Sequence, residues 1–408
     1  MNCRFCNNKL SHEFVDLGFS PPSNSFLRAE QLNEPETFYP LRIMVCDNCF
    51  LVQIGEFAKH DEIFNGDYAY FSSFSKTWLD HAKAYTELMV EKFGFNETSQ
   101  IIEVASNDGY LLQYFKNKGI PVLGIEPTAN TAAAAKEKGI DSVIDFFGVR
   151  LAKKLANEGT MADLLLGNNV LAHVPDINDF VAGIKIILKA RGVITFEFPH
   201  LLQMIDKNQF DTIYHEHFSY LSFGTVKQIF EHHGLEMFDV EEINTHGGSL
   251  RIYAKHAEDN ARVISSNVKA LLEKEIAFGL TNLTVYNDYQ AKSEKVKNDF
   301  LEFLIRVHKE GKTVAAYGAA AKGNTLLNFC GVRKDLINFV VDASPHKQGK
   351  YLPGIHIAVV NEQKIKEVKP DYIVILPWNL KEEVQAQLNY IREWNGQFVV
   401  AVPNLEII

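Results

Sequence analysis

Two Cys-x2-Cys pairs, Cys3/Cys6 and Cys46/Cys49, constrain the fold before anything else does. Each pair is a knuckle, and four thiolates at this spacing come within tetrahedral reach of one zinc ion. The stretch between the knuckles is longer than in a simple ribbon, so a small sub-domain is expected to fill it. Short extended pieces and turns such as Ser20-Pro21-Pro22-Ser23-Asn24 fit that expectation. The start, Met1-Asn2-Cys3-Arg4-Phe5-Cys6, carries no apolar secretory stretch, so a cytoplasmic setting is expected, in which disulfides are rare. Four thiolates leave no open coordination position, which makes the expected zinc structural and not catalytic. Cys330 stands apart and reads as a buried apolar residue.

A chain of 408 residues is too long for one ordinary core, so two or three domains are expected. Its 46 % hydrophobic and 23 % charged residues are those of a soluble globular protein. No apolar run reaches the roughly 18 residues that a membrane span needs, so no membrane partner is expected. Net charge is 41 − 51 = −10, with no basic tail or arginine-rich run. Nucleic acid is therefore not an expected partner. An anionic small substrate is compatible with this balance where local cations or helix N-termini receive it.

Beyond the knuckles the chain alternates. Trp78, Leu79, Ala82, Tyr85, Leu88, Met89 and Phe93 recur at helical spacing over residues 76–93. Strands are expected at 101–104, 121–125, 163–166 and 193–196, with helices at 111–118, 128–138 and near 177–189. Residues 258–310 read as polar helix, after which strands resume at 313–317, 337–341, 372–376 and 398–402. Strand-helix alternation with short loops implies a parallel sheet covered on both faces. The expected fold class is α/β: a zinc-binding domain over 1–66, a Rossmann-like domain over 67–254 and a second α/β domain over 255–408.

After the first of these strands comes Glu103-Val104-Ala105-Ser106-Asn107-Asp108-Gly109-Tyr110. The acid–x–Gly–x–Gly–x–Gly turn of class I methyltransferases aligns with Glu103, Ala105, Asn107 and Gly109, two glycines being replaced. Asn107 can hold a left-handed conformation, and Ala105 costs little if its backbone angle is ordinary. Glu126, closing the second strand, is placed to accept from ribose hydroxyls. Asp145 and Phe146 can offer a carboxylate and a ring to adenine. These elements in order favour S-adenosylmethionine over NAD(P), whose pyrophosphate needs the missing second glycine. A purely structural doubly wound sheet is the alternative.

Residues 214–220 read Tyr-His-Glu-His-Phe-Ser-Tyr, a density of imidazole, carboxylate and phenol suited to proton transfer and to holding an oxyanion. The alternative is a loop whose histidines and tyrosines only cap hydrogen bonds. The fourth strand of the Rossmann-like unit runs into Asn168, Asn169 and His173, at the strand end where such sheets place ligands.

The knuckles, Ser106-Asn107-Asp108-Gly109, Tyr-x-Glu-His at 214–217, His-Gly-Gly-Ser-Leu-Arg at 246–251, Tyr317-Gly318-Ala319-Ala320-Ala321-Lys322-Gly323-Asn324 and Pro377-Trp378-Asn379 together resemble the nucleotide-sugar C-3′-methyltransferases of deoxysugar biosynthesis. The resemblance covers nearly the whole chain. It implies methyl transfer from S-adenosylmethionine to C-3′ of a nucleoside-diphosphate 4-keto-6-deoxy sugar through an enolate. It implies His217 as general base, Tyr214 at the enolate oxygen, Glu216 as an orienting group, and His173 and Tyr68 as further active-site residues, Tyr70 being the other register for the last.

Asn168 joins the expected cofactor site, and Asn169, His246, Arg251, Lys322 and Asn324 the expected substrate site. Gly318–Asn324 reads as a backbone-donor loop for a diphosphate, with Arg251, Lys322 and Lys347 as nearby cations; a tight turn with surface lysines is the plain alternative. Two rival functions remain at this point: O- or N-methylation of a nucleotide sugar, and a non-enzymatic zinc protein. The oligomeric state is open, a monomer among the options.

Overall fold

The computed structural model describes residues 1–57 and 71–408. The four knuckle sulfurs lie within 4.8 Å of one another, with Cys3–Cys49 and Cys6–Cys46 both at 3.6 Å. Zinc–sulfur bonds of about 2.3 Å arranged tetrahedrally require edges of about 3.8 Å, so the donor set fits that ion. Gln53 donates Nε2–H to Cys3 Sγ at 3.2 Å, an outer contact of the kind that orients a thiolate ligand.

Around this centre runs an antiparallel sheet of β1 (His12–Ser20), β2 (Tyr39–Val45) and β3 (Val52–Ile54). Its fourth strand comes from far along the chain. The sheet order is β1-β2-β3-β9, where β9 is Ser219–Tyr220.

The second sheet has the order β10-β11-β8-β7-β4-β5-β6. Its members are β4 (Ile101–Val104), β5 (Val122–Ile125), β6 (Ser142–Val143), β7 (Ala162–Asn168), β8 (Leu188–Pro199), β10 (Leu235–Ile243) and β11 (Ser249–His256). β4 to β8 pair in parallel, and β11 runs antiparallel to both β8 and β10. This is the class I methyltransferase arrangement. The third sheet, β14-β13-β12-β15-β16-β17, comprises Val314–Tyr317, Val340–Val341, Val359–Val360, Tyr372–Ile375, Gln397–Val400 and Glu406–Ile407 as β12 to β17 in chain order. Strand order reverses between β12 and β15, which is where doubly wound sheets open a crevice.

The Lys76–Phe93 helix has the limits that its periodicity predicts. Ser75 caps its start by accepting from the Trp78 N–H, and Gly94, at φ 71°, ends it in the left-handed region. Leu88, included in its apolar stripe, is 36 % exposed; Ala82, Tyr85 and Met89 carry the packing. β4 also has its expected limits. Three expectations are corrected. The strand expected at 193–196 extends over Leu188–Pro199, the one at 337–341 shrinks to Val340–Val341, and the antiparallel pair β10 and β11 was not anticipated. Only a 3-10 turn, Thr245–Gly247, lies between β10 and β11, so the strand-helix alternation that reveals parallel strands does not mark them.

The sheets share apolar cores. One cluster runs from Val15, Ile43 and Ile54 through Phe210 and Phe218 to Phe300 and Val374, joining the first sheet to the third. The knuckle cysteines pack instead with the core of the second sheet. No helix among the described residues is long and apolar enough to cross a membrane. Chelation, or Cys46→Ser, is expected to remove bound zinc and lower the melting temperature, because metal binding at such a centre is folding free energy. Metal analysis alongside calorimetry checks this; a metal-free protein with an unchanged melting curve contradicts it.

Candidate active site

A cavity of about 1190 Å³ opens at the carboxyl end of the second sheet and reaches the third. On one wall is the turn after β4. Ala105 has φ 54°, Asn107 φ 49° and Gly109 φ 73°, so all three positions that the motif reserves for glycine are left-handed. The condition under which Ala105 would cost little is therefore not met, and its left-handed angle costs roughly 1–2 kcal/mol for an L-residue. A Cβ at Gly109 would also stand 2.6 Å from Ile140 Cδ1, so that buried side chain would have to shift.

Glu126 braces the turn. Its Oε2 accepts from the Asn107 N–H at 2.8 Å, and its Oε1 accepts from the Thr128 N–H at 2.9 Å and the Thr128 hydroxyl at 2.5 Å. A carboxylate has about four acceptor sites, so capacity for ligand hydroxyls is left over. Asn168 lines the same wall; among the described residues neither its Oδ1 nor its Nδ2 has a hydrogen-bond partner, although both are buried. Such orphaned groups are costly unless a ligand meets them. A left-handed turn, a braced acid and an unsatisfied amide together fit S-adenosylmethionine.

Asp145 and Phe146 also line the cavity, Asp145 with both oxygens 2.6 and 2.7 Å from one Arg150 nitrogen. Glu103, on β4, and Gly109, the last left-handed position of the turn, are not in the lining. Burial pushes the Glu103 carboxyl well above the usual carboxylate range, partly offset by Tyr110.

Opposite stands the imidazole cluster. His217 directs Nδ1 at the Thr212 carbonyl, 2.9 Å away. A carbonyl only accepts, so the proton sits on Nδ1 and Nε2 carries the free lone pair. The His217 ring lies 4.0 Å from Tyr214 and 4.7 Å from His173, centroid to centroid. Burial holds His217 well below its ordinary pKa, reinforced by His173, and lowers His173 to about 4. Both imidazoles are neutral at pH 7. Glu216 accepts from Asn24 Nδ2 at 2.6 Å, which brings a residue of the Ser20–Asn24 turn into the cavity wall. Tyr68, and Tyr70 beside it, lie outside the described residues.

His246 Nε2 meets Asn169 Nδ2 at 3.0 Å and is lowered to about 4 by burial. Arg251 faces the cavity, but its guanidinium is engaged by Glu197 at 2.7 Å and Glu241 at 3.0 Å, so it is a paired cation. Lys322 lines the third-sheet wall, donates to Asn379 at 2.9 Å and lies over the Trp378 ring. Lys347 is nearby, donating to the Ala319 carbonyl at 2.9 Å. Asn324 is buried within the Ala321–Cys330 helix and does not reach the cavity lining.

Sequence reasoning overlooked Asn24 and His81. His81 lines the cavity and pairs with Glu197 at 2.7 Å, yet it sits in a helix that reads as plain packing. Its contact with β8 spans more than a hundred positions, and no local signal marks it.

The sheet order, the left-handed turn and the shared cavity define an S-adenosylmethionine-dependent methyltransferase. Family descriptions agree: residues 3–64 match a zinc binding domain, 79–240 a methyltransferase domain and 244–403 a C-methyltransferase C-terminal domain. The C-methyltransferase NovU of Streptomyces niveus is 32 % identical over 406 residues, covering 100 % of this chain and 96 % of that protein. The chain belongs to this C-methyltransferase family.

A ubiquinone biosynthesis O-methyltransferase of Bartonella quintana is 27 % identical over 99 residues, 24 % of this chain and 40 % of that protein. A SAM-dependent methyltransferase structure from Archaeoglobus fulgidus covers 43 % of this chain and 94 % of its own at 15 % identity and TM-score 0.36, too slight a likeness to argue from. Full-length membership sets aside the O- or N-methyltransferase and the non-enzymatic zinc protein. Gly109→Ala is expected to destabilise the fold by about 1–3 kcal/mol, since left-handed strain and the shift of Ile140 are both met in the folded state. Denaturant unfolding checks this; an unchanged unfolding free energy contradicts it.

Proposed function

We propose that this C-methyltransferase acts at C-3′ of a nucleoside-diphosphate 4-keto-6-deoxy sugar, with His217 as general base. The observation that carries the reading is the His217–Thr212 hydrogen bond, which leaves a neutral Nε2 acceptor in the cavity shared with the cofactor turn. A base of modest strength can open a C–H bond only where the carbon is acidified, and a neighbouring ketone does that by delocalising the carbanion. His217 takes the C-3′ proton onto Nε2 while keeping Nδ1–H on Thr212. Tyr214, against the His217 ring, supplies a phenol for the enolate oxygen. Glu216, braced by Asn24, orients the sugar, with His173 closing the other side. Tyr68 keeps the role that the family resemblance gives it. S-adenosylmethionine, when bound, supplies the electrophilic methyl group.

The third-sheet wall receives the other end of the substrate. Lys322 and Lys347 stand beside the Ala320–Ala321 turn, and cations with a helix start suit a diphosphate. Asn169 and His246 border the sugar side. Arg251, held by two carboxylates, shapes this wall and is poorly available as a phosphate ligand. Asn324, buried away from the lining, supports the helix in this reading.

Incubation with S-adenosylmethionine and a panel of nucleoside-diphosphate 4-keto sugars tests the proposal. The expected product carries a new methyl on a quaternary carbon by NMR; retention of deuterium placed at that carbon overturns the proposal. His217→Ala is expected to lose about 10²–10⁴ in turnover while cofactor affinity stays within about twofold. The pH profile has a defined sign. A base whose pKa is lowered stays unprotonated below 6.5, so kcat/KM at pH 6 is expected to stay near its value at pH 7.5. An acid limb centred at 6.5 or above contradicts the buried neutral base.

A further inference from the structure

We propose that Arg4, lodged between two metal-binding cysteines, is a positioning residue for proton abstraction that fixes how His173 and His217 face each other. The inference rests on the reading of His217 as base. Arg4 Nη1 donates to the Pro175 carbonyl at 2.7 Å, two residues beyond His173. Its Nη2 donates to the Ile54 carbonyl at 2.5 Å. The Ile54 N–H in turn donates to the Phe218 carbonyl at 3.1 Å, and Phe218 follows His217 directly. The guanidinium also lies 5.4 Å from the Phe218 ring centroid. One side chain thus bonds directly to the segment beyond His173 and, through Ile54 and the Phe218 ring, reaches the segment that carries His217.

The anchor at the other end is the knuckle. The Arg4 N–H donates to Gln53 Oε1 at 2.9 Å, and the same Gln53 donates to Cys3 Sγ. Asn178 Nδ2, on the Ile177–Ile187 helix, donates to the Arg4 and Phe5 carbonyls at 3.2 and 2.9 Å. The knuckle backbone is therefore held from two sides while the guanidinium reaches across. Only a planar fork donates to two carbonyls in a fixed relation; an ammonium is a point donor. Small displacements of reacting groups are costly, about 10²-fold for 1 Å.

The test uses full-length enzyme carrying Arg4→Met or Arg4→Lys. Four quantities are measured: zinc per chain, S-adenosylmethionine affinity, kcat and KM, and solvent deuterium exchange at the ketosugar C-3′ with S-adenosylhomocysteine present. For Arg4→Met, zinc, affinity and KM are expected to stay within about twofold, while kcat and exchange fall together by about tenfold or more. Arg4→Lys is expected to fall between this variant and the native enzyme. Unchanged kcat and exchange overturn the inference, as does a loss of zinc and affinity that accompanies the loss of rate. If Arg4→Met does not fold, Arg4→Lys decides by the same criteria. If His217→Ala exchanges C-3′ as the native enzyme does, the base assignment fails instead, an outcome distinct from failure of the Arg4 inference alone.

Discussion

The pairing of β3 with β9 is the interaction on which the rest of the site depends. Val52 and Gln53 pair with Tyr220 and Ser219, so the residues that follow Tyr214–His217 are strand partners of the metal-binding unit. A two-residue strand has little stability of its own. It is held because β1 to β3 are closed by the four-thiolate centre on one side and buried against Phe210 and Phe218 on the other. The second knuckle makes a parallel attachment, its Cys49 carbonyl accepting from the Thr225 hydroxyl at the start of the Phe223–His232 helix. The metal unit is thus part of the frame that holds the imidazole cluster.

This arrangement divides the work of the cavity among three sheets. The second supplies the cofactor wall through backbone geometry: left-handed Ala105 and Asn107, and Glu126 tying the turn to the end of β5. The first supports the proton-transfer wall. The third closes the cavity where its strand order reverses, bringing Lys322 and the Pro377–Asn379 segment to the lining. Asp211 links the last two walls, accepting from Trp378 Nε1 at 2.7 Å; burial raises its carboxyl to about 6 against the pull of Lys322. Polar contacts of this kind, buried and few, fix geometry more than they add stability.

Local signals made much of this legible. The limits of Lys76–Phe93 and Ile101–Val104 follow from periodicity, and the four cysteines carry their convergence in their spacing. Tyr214, Glu216 and His217 stand together in sequence, so their density was visible without a structure, whereas His173 and His246 join them from separate segments. What could not be read was long-range. Asn24 meets Glu216 across 192 positions, and β9 joins a sheet begun at His12. Arg251 reads as a free cation until Glu197 and Glu241 are seen beside it. The backbone angle of Ala105 could not be read because an alanine rarely enters the left-handed region, and only the turn around it forces that conformation.

The uncharged state of the buried histidines has an electrostatic consequence. His173, His217 and His246 border the cavity without contributing positive charge, while Glu126 lines its other wall beside an Asp145 already paired with Arg150. A sulfonium bound there would be attracted toward Glu126 and meet no repulsion from these three imidazoles. Once its methyl has left, the spent sulfur is a neutral thioether and that attraction vanishes. The burial that keeps these imidazoles unprotonated thus removes one source of repulsion between the site and a cationic reactant.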